Sequence, residues 1–129
     1  MNIAICDQLI HGARTSAGTL WLETGRITAR ELIRRRIEQE VETYNQNLPE
    51  VFAGLVQPEQ SERLLNGYRV KTRQQLDAAQ QFQRACSSFA NNGFLLLVDG
   101  RQVTALDDEL DLANGSEVDF LKLVPLIGG

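Results

Sequence analysis

The sequence predicts an α+β protein in which a helix lies across one face of a small mixed sheet. Three observations lead to this class. Segments near both ends of the chain alternate apolar and polar residues, or are wholly apolar over a few positions, as strands are. A segment between them has apolar residues at helical spacing. The chain has 129 residues and is 43% apolar, which suits one globular domain spanning 1–129.

A hairpin is predicted at the N-terminus. Residues 1–10 alternate apolar and polar residues at their start, and residues 19–23, TLWLE, alternate in the same way. Between them, residues 12–18 have the sequence GARTSAG, a run of small and polar side chains that indicates a loop. We therefore expect two strands joined by this loop.

The first helix is predicted from a capping box. Thr28 can accept a hydrogen bond from the backbone N–H of Glu31, whose side chain can reach back to Thr28. From there an apolar stripe continues at helical spacing to about Tyr44, and the opposite face is charged. The helix should therefore cover one side of the sheet.

An inserted helical region is predicted over about 47–92. Its first half contains two prolines and short apolar clusters, which indicate a loop packed on the body of the protein. A second capping box begins at Thr72 and predicts a helix that ends near Asn91, where the sequence NNG is a strong stop signal. The apolar stripe of this helix is either a second layer on the sheet or a surface for self-association or partner recognition.

The C-terminal third predicts three more strands. Residues 94–98 are wholly apolar, Asp99-Gly100 is a hairpin turn signal, and residues 101–104 return. After an acidic segment, residues 117–124, EVDFLKLV, form the best strand of the chain. This last strand is too apolar for an edge, so we expect it in the centre of a sheet of four to five strands, parallel to the first strand.

Composition argues against several classes of function. The net charge of −4 and the isoelectric point near 5.0 are unlike those of a nucleic-acid-binding protein, which needs a clustered basic surface. The two cysteines and one histidine have no metal-ligand spacing, and no set of catalytic residues stands out. No apolar run reaches the ~20 residues of a membrane span. Without a signal-peptide pattern, a cytoplasmic protein is expected.

The predicted order of elements and the C-terminal residues VDGRQVTALDDELDLANGSEVDFLKLVPLIGG together resemble the β-grasp ubiquitin-like family. The likeness is greatest to the small prokaryotic sulfur carriers of molybdopterin and thiazole synthesis, and it covers about 1–46 and 93–129. Its motifs are the Asp99-Gly100 turn, a Gly115 turn before the last strand, and the terminal Gly128-Gly129. The inserted region at about 47–92 is absent from those small carriers. With it, the chain is similar to bulkier β-grasp proteins that occur in bacterial ubiquitination-like operons.

The resemblance implies a substrate or carrier protein with no catalytic residues and no bound cofactor or metal of its own. An E1-like adenylating enzyme would use ATP and Mg²⁺ to activate the Gly129 carboxylate. An E2-like enzyme and target proteins would be further partners, and a nucleophile on the target would receive the chain. Glycines at this end would leave the carbonyl unhindered for attack.

Two alternatives remain open at this point. In one, a Gly129 thiocarboxylate supplies sulfur for molybdopterin, thiazole or related synthesis. In the other, the protein is a non-covalent β-grasp adaptor whose glycines are incidental. In each case apolar residues near the end of the chain are the expected partner contacts, because exposed apolar patches mark interaction sites. These expected contacts are Leu123, Pro125, Leu126 and Ile127.

Overall fold

The order of strands and helices confirms the predicted α+β class. The computed structural model describes residues 1–10, 12–71 and 74–123. They form two compact units, one made of Met1–Leu32 and the chain from Ser88 onward, the other of Ile33–Ser87. The elements are β1 (Asn2–Leu9), β2 (Arg14–Trp21), β3 (Arg26–Thr28), α1 (Ala29–Asn47), β4 (Ser61–Leu64), β5 (Gly67–Val70), α2 (Ala78–Ala90), β6 (Phe94–Val98), β7 (Arg101–Val103), β8 (Glu109–Asp111) and β9 (Glu117–Lys122).

The main sheet belongs to the first unit and has five strands in the order β2-β1-β9-β6-β7. β9 pairs parallel with β1, and the other three pairings are antiparallel. The sheet is therefore mixed, with the last strand at its centre and parallel to the first strand, as the sequence predicts. The apolar composition of β9 follows from this place, since a central strand has neighbours on both edges.

The first hairpin differs from its prediction. Residues 14–18 were expected in a loop, but they form the first half of β2. Every residue of β2 except Leu20 is exposed, so the small and polar side chains of this half face water. Because β2 is the terminal strand of the sheet, its pairing with β1 does not require an apolar side-chain pattern.

One face of the main sheet carries the buried apolar side chains of the unit, and we call it the inner face. Ile3, Leu96, Val118 and Phe120 on this face have no exposed surface. Phe120 packs at a tilt against Phe94, with ring centroids 5.7 Å apart. Burial of these side chains supplies the main stabilising term of the unit.

The start of α1 is confirmed as predicted. The Thr28 hydroxyl accepts a hydrogen bond from the backbone N–H of Glu31 at 3.1 Å. The first turn is also bonded to the segment before β8, since the Ala29 N–H donates to the Asp108 carbonyl and the Arg30 N–H to the Leu106 carbonyl. Two backbone donors that a helix N-terminus leaves unsatisfied are paired in this way.

The second helix begins later than predicted. The structure starts α2 at Ala78, six residues after Thr72, and leaves residues 74–77 without helical structure. Asp77 caps the helix, because its carboxylate accepts from the Ala79 N–H at 3.0 Å. The stop signal is confirmed: Asn92 has a φ of 58°, and the Gly93 N–H donates back to the Ser88 carbonyl.

The second unit also contains a hairpin that the sequence analysis does not predict. β4 and β5 pair antiparallel around the two residues Leu65-Asn66. Phe52 forms a bridge with Tyr68 in β5, and its ring packs edge-on against Tyr44, with centroids 5.3 Å apart. The inserted region therefore holds strands as well as a helix.

Candidate functional site at the end of the last strand

The predicted site follows the C-terminal end of β9. This end is held by a strand on each side, because Lys122 lies opposite Leu9 of β1 and opposite Phe94 of β6. One residue further on, the Leu123 N–H donates to the Gly93 carbonyl at 3.0 Å. The chain is thus bonded to the sheet as far as Leu123.

Leu123 is also the last residue that the structure describes. It is half-buried, so part of its side chain is available for the partner contact predicted from the sequence. The other predicted site residues lie outside the described residues, and their roles stay predictions. They are the expected contacts Pro125, Leu126 and Ile127 and the glycines expected to be activated, Gly128 and Gly129.

The face of the sheet opposite the inner face is partly open, and we call it the outer face. Side chains alternate along a strand, and both Phe120 and Lys122 of β9 lie on the inner face. Leu121, which lies between them in sequence, is therefore on the outer face. Leu121 pairs directly with Leu95 of β6, and Leu97 follows on the same face. These three half-buried leucines form a contiguous apolar cluster, which we call the leucine patch.

Two exposed apolar residues lie at the same sheet edge as the end of β9. Leu9 and Ile10 are 40% and 54% exposed. β1 runs parallel to β9, so the C-terminal ends of both strands meet at one edge. The sequence analysis does not select these residues. A signal for them was present in the sequence, because Leu9 and Ile10 form an apolar pair at the end of the first strand, which is predicted to lie parallel to the last strand.

An ion-pair group crosses the outer face. Arg14 of β2 reaches over β1 to β9, with Nε 2.8 Å from Asp119 Oδ1 and Nη2 3.3 Å from Glu117 Oε2. The hydrogen bond from Arg14 to Asp119 raises the pKa of the guanidinium above its ordinary value. Both partners of the Arg14–Glu117 pair are well exposed, so we assign the group little stability.

A second ion pair lies at the end of the inner face. Lys122 Nζ is 3.6 Å from Asp7 Oδ2, and these side chains are only 20% and 17% exposed. On the inner face, Asp7 is the next residue after the buried Ile5 of β1, and Lys122 is the next after the buried Phe120 of β9. The pair thus ends the apolar core with neutralised charges just before the chain leaves β9.

The acidic segment before β8 is partly structural. The Asp108 carboxylate accepts from the Ala105 N–H at 3.2 Å and fixes a turn. Asp107 pairs with Arg30 at 2.9 Å, although its side chain is largely exposed. The sequence analysis does not anticipate that this segment receives the first turn of α1.

Cys6 lies in β1, between β2 and β9, and is buried. Burial raises the pKa of its thiol. The positive charge of Arg14 lowers this pKa and the negative charge of Asp119 raises it, and both effects are smaller than that of burial. A thiol held neutral in this way is a weak nucleophile. Across the described ranges, no three His, Cys, Asp or Glu side chains are placed to hold a metal ion.

Comparison of the chain with protein-family models, with curated proteins and with solved structures finds no match in any of the three. In the part of the chain that the structure describes, neither helix has the length and apolar character needed to cross a membrane. The functional argument therefore rests on the strand order and on the surfaces around the end of β9.

Proposed function

We propose that this chain is a β-grasp, ubiquitin-like modifier whose Gly129 carboxylate is adenylated by an E1-like enzyme and transferred to a nucleophile on a target protein. In this proposal the chain is the substrate of its partner enzymes. ATP and Mg²⁺ belong to the activating enzyme. Residues beyond Leu123 carry the reactive group, and the folded sheet is what the enzyme recognises.

The observation that carries the proposal is the strand order β2-β1-β9-β6-β7. Two hairpins, β1–β2 and β6–β7, flank a last strand that lies parallel to the first. This is the arrangement that the β-grasp resemblance implies. In the sequence, the residues that lead to Gly128-Gly129 follow this central strand.

The chemistry requires little from the chain itself. An oxygen of the Gly129 carboxylate attacks the α-phosphorus of ATP, and pyrophosphate leaves. A thiol or amine of an enzyme or target then attacks the carbonyl carbon, AMP leaves, and the proton of the nucleophile passes to a base of the partner. A carbonyl flanked only by glycine backbone offers minimal steric resistance to both steps.

The surface around the end of β9 supports recognition by a folded partner. The leucine patch lies beside this end on the outer face, and Leu9 and Ile10 are exposed at the same sheet edge. Apolar side chains that remain partly or largely exposed near one another are typical of interaction sites. A partner that binds here would be positioned to receive the residues after Leu123.

A test begins with the intact mass of the chain expressed together with its genomic neighbours, which establishes whether Gly129 ends in a free carboxylate. The purified chain is then assayed for ATP–pyrophosphate exchange with an E1-like enzyme from that set. We expect exchange that requires Gly128 and Gly129, and conjugates joined through Gly129 in peptide mass spectra. Unchanged exchange after deletion of both glycines would refute the proposal.

Docking can be tested separately from the chemistry. Ile10→Asp introduces a charge beside the end of β9, and we expect it to raise the KM for the chain about tenfold, with kcat little changed. Leu65→Asp is the matched control, because Leu65 is a fully exposed leucine in the β4–β5 turn. Equal effects of the two variants would show that the enzyme does not recognise this edge.

A thiocarboxylate at Gly129 in place of conjugates would favour the sulfur-carrier alternative.

A further inference from the structure

Lysine is scarce in this chain. Of its 13 lysine and arginine residues, two are lysines, Lys71 and Lys122. The others are arginines, whose guanidinium stays protonated and has no free electron pair with which to attack a carbonyl. The side chains of this protein that can accept an acyl group as an amide are therefore the two lysines.

Lys122 is the lysine that an activated C-terminal carbonyl would meet most readily. Gly129 follows seven positions later in the sequence, and seven residues of chain span at most about 25 Å. A short tether gives two groups of one molecule an effective concentration on the order of millimolar. An amine this near along the chain therefore competes with the amines of a target protein for the same carbonyl.

The structure holds the Lys122 side chain against a carboxylate. Lys122 is the last residue of β9, and its backbone lies between β1 and β6. Its side chain lies on the inner face, where Nζ is 3.6 Å from Oδ2 of Asp7. Both side chains are mostly buried. The amine nearest to Gly129 in the sequence is thus engaged within the fold.

This ion pair opposes nucleophilic attack by Lys122. An ammonium has no free electron pair, so the amine must lose a proton before it attacks a carbonyl. Burial by itself favours the neutral amine, whereas a carboxylate close by favours the ammonium. Asp7 is therefore the group that opposes loss of the proton, and the burial of the side chain restricts access to Nζ as well.

We propose that Asp7 withholds Lys122 from the activated Gly129 carbonyl, so that the acyl group passes to a nucleophile of a partner protein. The inference rests on the proposed function. Asp7 does not touch the reacting atoms in this proposal. It acts through Lys122, as a positioning residue that decides which amine accepts the acyl group.

The reaction that the ion pair prevents is the closure of a ring within the chain. The neutral Nζ of Lys122 would attack the carbonyl carbon of the Gly129 adenylate or thioester and form a C–N bond. AMP or the enzyme thiol would leave, and the amine proton would pass to water or to a base of the enzyme. The product would be the chain less one water molecule, with a lactam that no target protein can receive.

Lys71 serves as an internal reference for the reactivity of Lys122. It follows β5, and its backbone N–H donates to the Gln60 carbonyl at 3.0 Å. Its side chain is exposed. Of the two lysines, Lys71 is therefore the one that we expect to react when the chain meets an acyl donor, including a second copy activated at Gly129.

The first measurement uses an acylating reagent and needs no partner enzyme. The purified chain is treated with N-hydroxysuccinimidyl acetate, and peptide mass spectrometry gives the acetylation rate of each lysine. We expect Lys122 to react about tenfold more slowly than Lys71, a comparison that requires no variant. Asp7→Asn should raise the rate at Lys122 about tenfold and leave the rate at Lys71 unchanged.

Asp119→Asn is the matched control for this measurement. It removes a carboxylate that is as buried as that of Asp7 but pairs with Arg14 on the outer face. We expect both lysines to react as in the parent protein, since the ion pair of Lys122 is retained. Equal rates at Lys71 and Lys122 in the parent, or equal effects of the two asparagine variants on Lys122, would overturn the proposal.

The second measurement adds the E1-like enzyme, ATP and Mg²⁺. With Asp7→Asn we expect a product that is lighter than the chain by one water molecule, and peptide spectra in which Lys122 is joined to Gly129. Adding Lys122→Arg to this variant should abolish the product, because arginine has no attacking amine. ATP–pyrophosphate exchange without any lactam would overturn the proposal and leave the proposed function standing. Absence of exchange in every variant would refute the proposed function, and the acetylation rates would still show whether Asp7 withholds Lys122.

Discussion

Replacing Phe120 by alanine tests the assignment of faces on which the site depends. Phe120 and Leu121 are neighbours in the central strand, but the structure places them on opposite faces. Phe120 has no exposed surface and packs against Phe94, whereas Leu121 is half-buried in the leucine patch. The two alanine variants should therefore differ strongly in stability, although the positions are adjacent in sequence.

The magnitude follows from burial. Truncation of a fully buried phenylalanine costs about 3–5 kcal/mol, a figure that includes the cavity left behind. The tilted contact with Phe94 accounts for roughly 0.5–1.5 kcal/mol of this loss. Leu121→Ala leaves no closed cavity and removes only part of a buried side chain, so its cost should be about 1 kcal/mol. At roughly 3–4 °C per kcal/mol for this chain length, the Tm should fall by about 10–20 °C and 3–4 °C, respectively.

Urea denaturation followed by circular dichroism gives both free energies of unfolding, and a thermal scan gives the Tm values. Phe120→Leu is the matched control, because it retains an apolar side chain and should recover much of the loss. If Leu121→Ala destabilises the protein as much as Phe120→Ala does, the two faces are wrongly assigned. The leucine patch would then be core, and it could not serve as a docking surface.

Three further predictions concern other parts of the first unit. Thr28→Ala should lower the free energy of unfolding by about 1 kcal/mol, because the Glu31 N–H loses its acceptor, and Thr28→Ser should restore most of it in urea denaturation. Gly25→Ala should cost about 1–3 kcal/mol by the same assay, since a Cβ at this position collides with the Leu112 carbonyl. Burial raises the pKa of the Cys6 thiol, so the folded state keeps this proton at a pH where the unfolded chain has lost it. The free energy of unfolding should thus fall as pH rises above the ordinary thiol pKa. Urea denaturation between neutral pH and about pH 10 should show a smaller fall for Cys6→Ala than for the parent protein.

The sequence predicted those elements whose signal is local or whose burial leaves a clear pattern. Thr28 caps α1 because its hydroxyl and the Glu31 N–H are brought together by the helix itself, without help from the rest of the fold. The central place of β9 was predictable because a strand with neighbours on both edges and a buried face needs apolar residues such as Val118 and Phe120.

Where tertiary context decides, the sequence was insufficient. The first half of β2 has the composition of a loop, and its strand conformation comes from pairing with β1 at an exposed edge. The box at Thr72 satisfied the local pattern for a helix start, yet residues 74–77 are not helical, and Asp77 begins α2. The apolar surface of Leu9 and Ile10 near the end of β9 depends on parallel pairing between strands more than 100 residues apart in sequence.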